Sequence, residues 1–248
     1  MTELLVVVPT YNERESLPGV IERIRSAVPE ADILIVDDNS PDGTGELADA
    51  LSDAHVAVLH RPGKDGLGRA YLAGFARAIA EGYAYVAEID ADGSHDPAEL
   101  PAMLALAVDG ADLVIGSRWV DGGAVRNWPW LRRAISRAGN WYSRVMLRSR
   151  IRDITAGFRV FRTTAISSLE LGDVSSQGYC FQVEMAWRLE RSGATVVEHP
   201  ITFVEREHGR SKMHLGIVTE ALLRVTGWGL RAGLPVGRCS TKERTTRL

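Results

Sequence analysis

The sequence has little cysteine and no long apolar run. Cys180 and Cys239 are the two cysteines among 248 residues, and they have neither metal-ligand spacing nor the density of a disulfide framework. This usage predicts a reducing compartment. No stretch reaches about 18 consecutive apolar residues, so we predict no transmembrane helix. The amino terminus lacks the basic region and cleavage site of a signal peptide, and we therefore expect a cytoplasmic protein.

Glycine is missing from the turn that follows the first predicted strand. Pro9–Glu13 has neither the Gly-x-Gly-x-x-Gly spacing of a dinucleotide-binding fold nor the glycines of a P-loop. The later run Gly63–Gly68 matches neither spacing and is interpreted as a flexible loop. Dehydrogenase and P-loop hydrolase functions are therefore strongly disfavoured.

Lysine is absent from residues 118–162, although this segment carries 11 arginines against 2 aspartates. Residues 1–117 carry 21 acidic and 7 basic side chains, so the net charge of −3 hides a strong asymmetry. Arginine offers a planar fork that suits phosphate, and basic segments are attracted to anionic membrane surfaces. The acidic first half and the scarcity of stacking aromatics beside the arginines argue against a nucleic-acid partner.

The sequence does contain a regular alternation of apolar strands and amphipathic helices. This alternation predicts an α/β fold with a mostly parallel central sheet and helices on both faces. The predicted strands are Leu4–Val8, Ile33–Val36, Val56–Leu59, Tyr83–Ala87 and Leu113–Ile115.

Acidic side chains follow successive strands of this predicted sheet. Asp90 and Asp92 come after the fourth strand, Glu13 after the first, and Asp37 and Asp38 after the second. The carboxyl ends of parallel strands share one edge, where open α/β sheets bind ligands. Alternate residues of an extended chain point the same way, so Asp90 and Asp92 face one spot, where a hard divalent cation offsets their repulsion.

Two sets of motifs resemble known enzymes. Val8–Glu13, Val36–Thr44 and Asp90–His95 together resemble the family 2 glycosyltransferases of the GT-A fold. Motifs of the second half resemble the polyprenol (dolichol) phosphate mannose synthases within that family. They are Asp153–Arg162, Gly178–Met185, Pro200–Phe203 and Arg206–Lys212.

The resemblance implies a role for individual residues. Asp90 and Asp92 would hold Mg²⁺ or Mn²⁺ on the donor diphosphate, and Ser94 stands where some members carry a glutamine ligand. Arg118 would reach the acceptor phosphate with Arg132 and Ser136. Arg206 and Lys212 would close over the donor as a mobile lid, and with Asp90, Asp92 and Arg118 they form the expected catalytic set. The nucleotide pocket would contain Pro9, Tyr11, Glu13, Val36, Asp38 and Ala91, and the five residues of the catalytic set would complete the nucleotide-sugar site.

The reaction implied is an inverting transfer of mannose from GDP-mannose to a polyprenyl monophosphate. A UDP-glucose (or other sugar) polyprenyl-phosphate glycosyltransferase is an alternative of the same fold. A sugar nucleotidyltransferase is a rival of another class, although it would need a glycine-rich first turn. A membrane-binding module without activity is a third possibility, which the presence of both Asp90 and Asp92 disfavours.

The predicted domain organisation has three parts. Residues 1–214 form the glycosyltransferase domain, with a nucleotide-binding half at 1–117 and an acceptor and lid half at 118–214. Residues 215–232 form an amphipathic helix, and 233–248 a disordered tail. A second basic amphipathic helix is predicted over Trp128–Met146, and these helices suit peripheral binding to the inner face of the membrane, although an ordinary surface helix remains an alternative. A membrane-embedded partner protein is left open.

Overall fold

The computed structural model describes residues 3–174, 176, 178–205 and 215–233. Within these residues, nine strands and eight α-helices follow the predicted alternation. The strands are β1 (Leu4–Thr10), β2 (Asp32–Asp37), β3 (Val56–His60), β4 (Tyr85–Glu88), β5 (Leu113–Ser117), β6 (Ala124–Arg126), β7 (Arg159–Arg162), β8 (Val196–Pro200) and β9 (Thr202–Val204). The helices are α1 (Leu17–Ala27), α2 (Thr44–Leu51), α3 (Leu67–Glu81), α4 (Leu100–Val108), α5 (Trp130–Leu147), α6 (Thr163–Ser167), α7 (Tyr179–Arg191) and α8 (Leu215–Gly233).

Seven strands form one sheet in the order β3-β2-β1-β4-β7-β5-β8. Strand β7 runs antiparallel to both of its neighbours, whereas the other pairings are parallel. The predicted mostly parallel sheet is therefore confirmed. Because β7 is reversed, its amino end lies at the edge where β1, β2, β4 and β5 end, and the loop that precedes it reaches the same place.

The core is divided between the two faces of this sheet. Along β1, Val6 and Val8 belong to the cluster that includes α1 and α4, whereas Leu5 and Val7 pack with α3 and α7 on the other face. Successive side chains of a strand point to opposite faces, so the continuous apolar run of β1 is what a strand covered on both sides requires. Helix α3 approaches very closely, since a Cβ on Gly74 would lie 2.6 Å from Cγ1 of Val7.

The segment after Asp96 begins as a short 3₁₀ turn, Pro97–Glu99, and the α-helix starts at Leu100. The Asp96 carboxylate accepts the N–H of Ala98 at 3.1 Å and thereby caps this turn. The capping residue Asp96 directly follows the acidic loop that contains Asp90 and Asp92.

The long helices α5 and α8 pack against each other. Gly229 lies so close to α5 that a Cβ there would be 2.5 Å from the Met146 carbonyl oxygen. The hydroxyls of Tyr142 and Thr226 are 2.5 Å apart, and Trp228 stacks on Trp187 of α7. In the described ranges, no helix combines the length and apolarity needed to cross a bilayer. Of the predicted tail 233–248, Gly233 is the last residue of α8, and 234–248 lie outside the described residues.

Candidate active site

The loop that follows β4 brings Asp90 to the edge of the sheet. The Tyr71 hydroxyl donates to Oδ1 of Asp90 at 3.1 Å, and Nε2 of His95 lies 3.8 Å from Oδ2. Burial and the nearby carboxylates raise the pKa of Tyr71 well above its ordinary value, so this hydroxyl stays protonated and donates. The Asp90 side chain nevertheless keeps about a third of its surface exposed. Tyr71 thus fixes the Asp90 carboxylate, which remains accessible to solvent and to a ligand.

Asp92 shapes the same loop from two residues further on. One of its carboxylate oxygens accepts the N–H of Ser94 at 3.0 Å, and Gly93 takes a positive φ of 75° between them. The carbonyl of Ser94 in turn accepts the N–H of Val204 in β9 at 3.1 Å. The small β6–β9 sheet is thereby attached to the acidic loop.

Two buried polar atoms beside the aspartates have no hydrogen-bond partner in the described part of the chain. They are Oγ of Ser94 and Nδ1 of His95. Burial lowers the pKa of His95 to about 4, so its imidazole is neutral near pH 7. Two carboxylates and a hydroxyl without a hydrogen-bond partner among the described residues fit a hard divalent cation that takes its remaining oxygen ligands from a substrate. No group of three His, Cys, Asp or Glu ligands occurs among the described residues, so the protein's own ligands would be few.

Five of the residues predicted for the nucleotide pocket lie at the ends of β1 and β2, whereas the sixth, buried Ala91, follows β4. Pro9 pairs with Val36 across the two strands, and the N–H of Asp38 donates to the Thr10 carbonyl at 3.1 Å. Tyr11 lies at the same edge, half-buried. The structure thus brings these predicted residues together, while their contact with a nucleotide stays a prediction.

Two cations from the loop after β3 enter this region. Arg61 forms an ion pair with Asp38, and Nζ of Lys64 lies 4.0 Å from the centre of the Tyr11 ring. Burial raises the pKa of Asp38, although the Arg61 charge opposes the shift. The sequence interpretation of Gly63–Gly68 as merely a flexible loop missed these residues. Their position directly after β3, which ends at the same edge of the sheet as β1 and β2, could have indicated that they belong to the site.

Arg118 follows β5 and is held by a buried ion pair with Asp153. Its Nε and Nη2 donate to the two carboxylate oxygens at 2.8 and 2.7 Å, and its backbone N–H donates to the same group at 2.9 Å. Nη2 also reaches Oγ1 of Thr155 at 3.1 Å. Bidentate geometry of this kind fixes the guanidinium plane. Asp153 opens the Asp153–Arg162 motif, and the resemblance implied no role for it.

The two other residues predicted to hold the acceptor phosphate lie on α5. Arg132 forms an ion pair with Glu205, and its guanidinium carbon lies 4.2 Å from the centre of the Trp128 ring. Ser136 is half-buried, and its carbonyl accepts the side-chain N–H of Asn140 at 3.0 Å. Their predicted role remains a prediction. Arg206 and Lys212, predicted to close over the donor, lie outside the described residues.

A pocket of about 520 Å³ lies between α5 and the segment that follows β5. Arginine and aromatic side chains dominate its wall, and no acidic residue lines it. The lining consists of Arg118, Trp119, Gly123, Ala124, Val125, Trp130, Arg133, Ala134 and Arg137. Because Arg118 lines the pocket, the pocket lies next to the buried ion pair of Arg118 with Asp153.

Comparison with known proteins agrees with this arrangement. Residues 5–169 match the family described as glycosyl transferase family 2. The chain is 52% identical over 237 residues to the polyprenol monophosphomannose synthase of Mycolicibacterium smegmatis, covering 94% of this chain and 89% of the relative. It is 55% identical over 231 residues to the undecaprenyl-phosphate mannosyltransferase of Micrococcus luteus, covering 92% and 95%.

Among solved structures, the chain resembles glucosyl-3-phosphoglycerate synthase from Mycobacterium tuberculosis, crystallised with Mn²⁺ and uridine-diphosphate-glucose. The TM-score is 0.67 at 20% identity, covering 95% of this chain and 81% of that one. This likeness concerns the fold, and it confirms the expected GT-A architecture. The family match covers well over half of the chain, and the two mannosyltransferase relatives match nearly all of it. The chain belongs to the family 2 glycosyltransferases.

Proposed function

We propose that this enzyme transfers mannose from GDP-mannose to a polyprenyl monophosphate and releases GDP. The observation that carries the proposal is identity above 50%, over more than nine-tenths of the chain, to two enzymes named for transferring mannose to a polyprenyl phosphate. The site offers what such a reaction needs, namely an acidic loop at one strand end and a basic pocket beside it. GDP as the nucleotide is an inference from the motif resemblance.

The donor would lie along the edge formed by β1, β2 and β4. In this proposal Pro9, Tyr11, Glu13, Val36 and Asp38 contact the nucleoside, and Ala91 lies against it. Lys64, stacked on Tyr11, is a further cation at this edge and can approach the donor diphosphate. The nucleotide-binding roles of Arg206 and Lys212 belong to the same proposal.

A divalent cation, Mg²⁺ or Mn²⁺, would be held by Asp90 and Asp92, with Ser94 beside them. Such an ion supplies charge stabilisation to the departing diphosphate. The Tyr71 hydroxyl fixes the orientation of the Asp90 carboxylate, and Asp92 is fixed by the N–H of Ser94. These contacts preorganise the carboxylates before any ligand arrives.

The chemistry follows from the charges of the two substrates. A phosphate monoester has a second pKa of about 6, so its oxygen is already anionic near neutral pH and needs no general base. This oxygen forms a bond to the anomeric carbon as the bond to the diphosphate breaks, and the configuration inverts. The enzyme contributes orientation by fixed cations such as Arg118, whose guanidinium is locked by Asp153.

The lipid acceptor implies contact with a membrane surface. Large apolar side chains of α5 and α8 are exposed although the helices pack together, as is typical of helices that lie in a bilayer interface. We therefore propose peripheral association with the inner face of the membrane. The side chains concerned are Trp130, Leu131, Ile135, Trp141, Val145, Leu222, Leu223 and Leu230.

Transfer of labelled sugar to farnesyl phosphate tests the function. GDP-mannose and UDP-glucose are compared as donors, with Mn²⁺, with Mg²⁺ and with EDTA. We expect metal-dependent labelling from GDP-mannose, reduced at least about 100-fold in Asp92→Asn. Asp109→Asn is the matched control, because this exposed aspartate follows α4 at the opposite edge of the sheet. Labelling from UDP-glucose alone would overturn the donor, and labelling that persists in EDTA would overturn the metal.

A further inference from the structure

A small gap lies over Gly157, in the loop that leads into β7. Apart from its neighbours in the chain, a Cβ on this glycine would have two atoms of the described residues within 4 Å. They are Oδ2 of Asp90 and Nε2 of Gln182, each at 3.8 Å. Gly157 does not take a positive φ, so its backbone conformation would accept a side chain. The missing side chain therefore leaves an open space that a carboxylate and an amide border.

Gln182 borders this gap with a buried amide. The residue is 2% exposed, and neither its amide oxygen nor its amide nitrogen has a hydrogen-bond partner in the described part of the chain. Burial raises the pKa of the nearby Glu88 carboxyl, and the Arg159 charge and the Gln182 amide oppose this shift, although no hydrogen bond of normal geometry joins Gln182 to Glu88. A buried amide without partners costs free energy, which indicates that its partner is a bound molecule.

The fully buried Arg159 joins the loop before Gly157 to helix α7. Its guanidinium donates to the carbonyls of Ile154 and Ala156 in that loop and to the carbonyl of Gln182 in α7, each at 2.8 Å. One side chain thereby fixes the backbone on both sides of the gap. The amide of Gln182 is thus positioned before any ligand binds.

A sugar hydroxyl suits the space between these two groups. It can donate its hydrogen to the Asp90 carboxylate and accept a hydrogen from the Gln182 amide. An anionic oxygen would be repelled by the carboxylate, and an apolar group would leave the amide without a hydrogen bond. In the proposed arrangement the donor diphosphate lies on the cation held by Asp90 and Asp92. The hexose attached to that diphosphate is therefore within reach of the gap.

We propose that Gln182 binds one hydroxyl of the transferred sugar and thereby contributes to the choice of donor. This inference rests on the proposed function and deepens it, because it adds a sugar contact from α7 to a donor site built from the ends of β1, β2 and β4. The hydroxyl is retained in the product, so Gln182 takes no part in bond making or breaking. A site that hydrogen-bonds a substrate hydroxyl discriminates against donors that lack it.

Donor kinetics with deoxy sugars test the proposal. GDP-mannose is compared with its 2-, 3-, 4- and 6-deoxy forms, with farnesyl phosphate and Mn²⁺, for wild type and Gln182→Met. Methionine keeps the length of the side chain and removes both polar atoms. Loss of one hydrogen bond predicts a fall of about 5- to 100-fold in kcat/KM for GDP-mannose. One deoxy donor should be equally poor with both enzymes, because the hydrogen bond is already absent.

Two controls separate sugar binding from structural effects. Thr163→Val removes another buried polar group that lacks a partner among the described residues. Thr163 follows β7 at the opposite edge of the sheet, so this variant should use every donor as wild type does. In Gln182→Met the Kd for GDP with Mn²⁺ should stay within about twofold of wild type, because GDP lacks the transferred sugar.

Gly157→Ala provides an independent test of the gap. The fold should tolerate the methyl group, since 3.8 Å is an ordinary van der Waals distance, but the group would occupy the space of the hydroxyl. We expect kcat/KM for GDP-mannose to fall about 10-fold or more, and to fall less for the deoxy donor that Gln182→Met identifies. Gly172→Ala is the matched control, because a Cβ on this exposed glycine would meet nothing within 4 Å.

Equal losses for all donors in Gln182→Met overturn the proposal, because the amide would then support the fold or hold a water. Unchanged kinetics overturn it as well. If wild type uses UDP-glucose instead, the same comparison is made with deoxy forms of that donor, and a selective loss supports the sugar contact although the proposed donor fails. If no sugar is transferred, the Kd of GDP-mannose relative to that of GDP decides. A contribution of the sugar that Gln182→Met removes supports the contact, and its absence overturns it.

Discussion

At the scale of single residues, buried charges decide how the site is held. Asp153 is fully buried, and its carboxylate accepts three hydrogen bonds from Arg118. Glu88 is also fully buried, and burial raises its pKa to about 8 against the opposing charge of Arg159. Arg159 itself donates to three backbone carbonyls. At this edge of the sheet, hydrogen bonds thus fix the positions of the buried charges of Asp153 and Arg159.

Asp153→Asn should strongly destabilise the fold. The substitution leaves the Arg118 charge buried without its counter-ion, and breaking a buried pair in this way costs about 3–5 kcal/mol. Urea unfolding followed by fluorescence measures the free energy. Glu81→Gln is the control, since it removes one partner of the exposed Arg77 pair and should cost less than about 1 kcal/mol. Equal losses in the two variants would contradict the structural role of Asp153.

At the scale of secondary-structure elements, the pair α5 and α8 combines internal packing with an exposed apolar side. The hydroxyls of Tyr142 and Thr226 join the two helices, and the stacking of Trp228 on Trp187 of α7 attaches the pair to the rest of the domain. Trp141 and Leu223 remain 65% and 75% exposed. An element that is anchored on one side and apolar on the other suits a membrane interface.

Replacing Trp141 and Leu223 together by serine should weaken membrane binding. Burying a large apolar side chain is worth about 1.5–3 kcal/mol, so the double variant should bind anionic vesicles at least about 10-fold less tightly. Sedimentation with vesicles measures the partition coefficient. Val108→Ser is the control, because Val108 is 56% exposed on α4, away from this surface. An unchanged partition coefficient in the double variant would argue that α5 and α8 contact something other than lipid.

At the scale of the whole molecule, one edge of the sheet collects groups from six strands. The ends of β1, β2, β3, β4 and β5 and the start of β7 meet there, and β9 is attached through Ser94. Such an edge couples ligand binding to the stability of the entire domain, because a ligand bound to the folded state shifts the unfolding equilibrium.

GDP with Mn²⁺ should therefore raise the melting temperature more than GDP alone. At a ligand concentration of about 100 times Kd the stabilisation is about 2.7 kcal/mol, which corresponds to roughly 5–10 °C for a domain of this size. Scanning calorimetry with and without EDTA measures the difference. Asp92→Asn should abolish the increment due to the metal, whereas Asp109→Asn should keep it. The same shift in EDTA would exclude a metal-assisted nucleotide site.

The alternation of strands and helices and the placement of acidic residues at strand ends could be predicted from the sequence. These features depend on neighbours in the chain: β1 has the continuous apolar run of a strand buried on both faces, and Asp90 and Asp92 directly follow the apolar residues of β4. The capping of the turn after Asp96 is equally local. Short-range periodicity and turn chemistry determine such features. The tertiary structure decides only how the resulting elements are arranged in space.

The tertiary structure decided which side chains meet. The reversed strand β7 brings Asp153 to Arg118, 35 residues earlier in the chain, and no local pattern specifies that pairing. Lys64 reaches Tyr11 in the same way, across two strands of the sheet. On α5 the arginines share the polar side of an amphipathic helix, so periodicity alone does not reveal which of them face the pocket. The contacts of α5 with β6 and with the residue after β9 determine the orientation of these arginines. Glu205 pairs with Arg132, and the Val125 carbonyl accepts a hydrogen bond from Arg133.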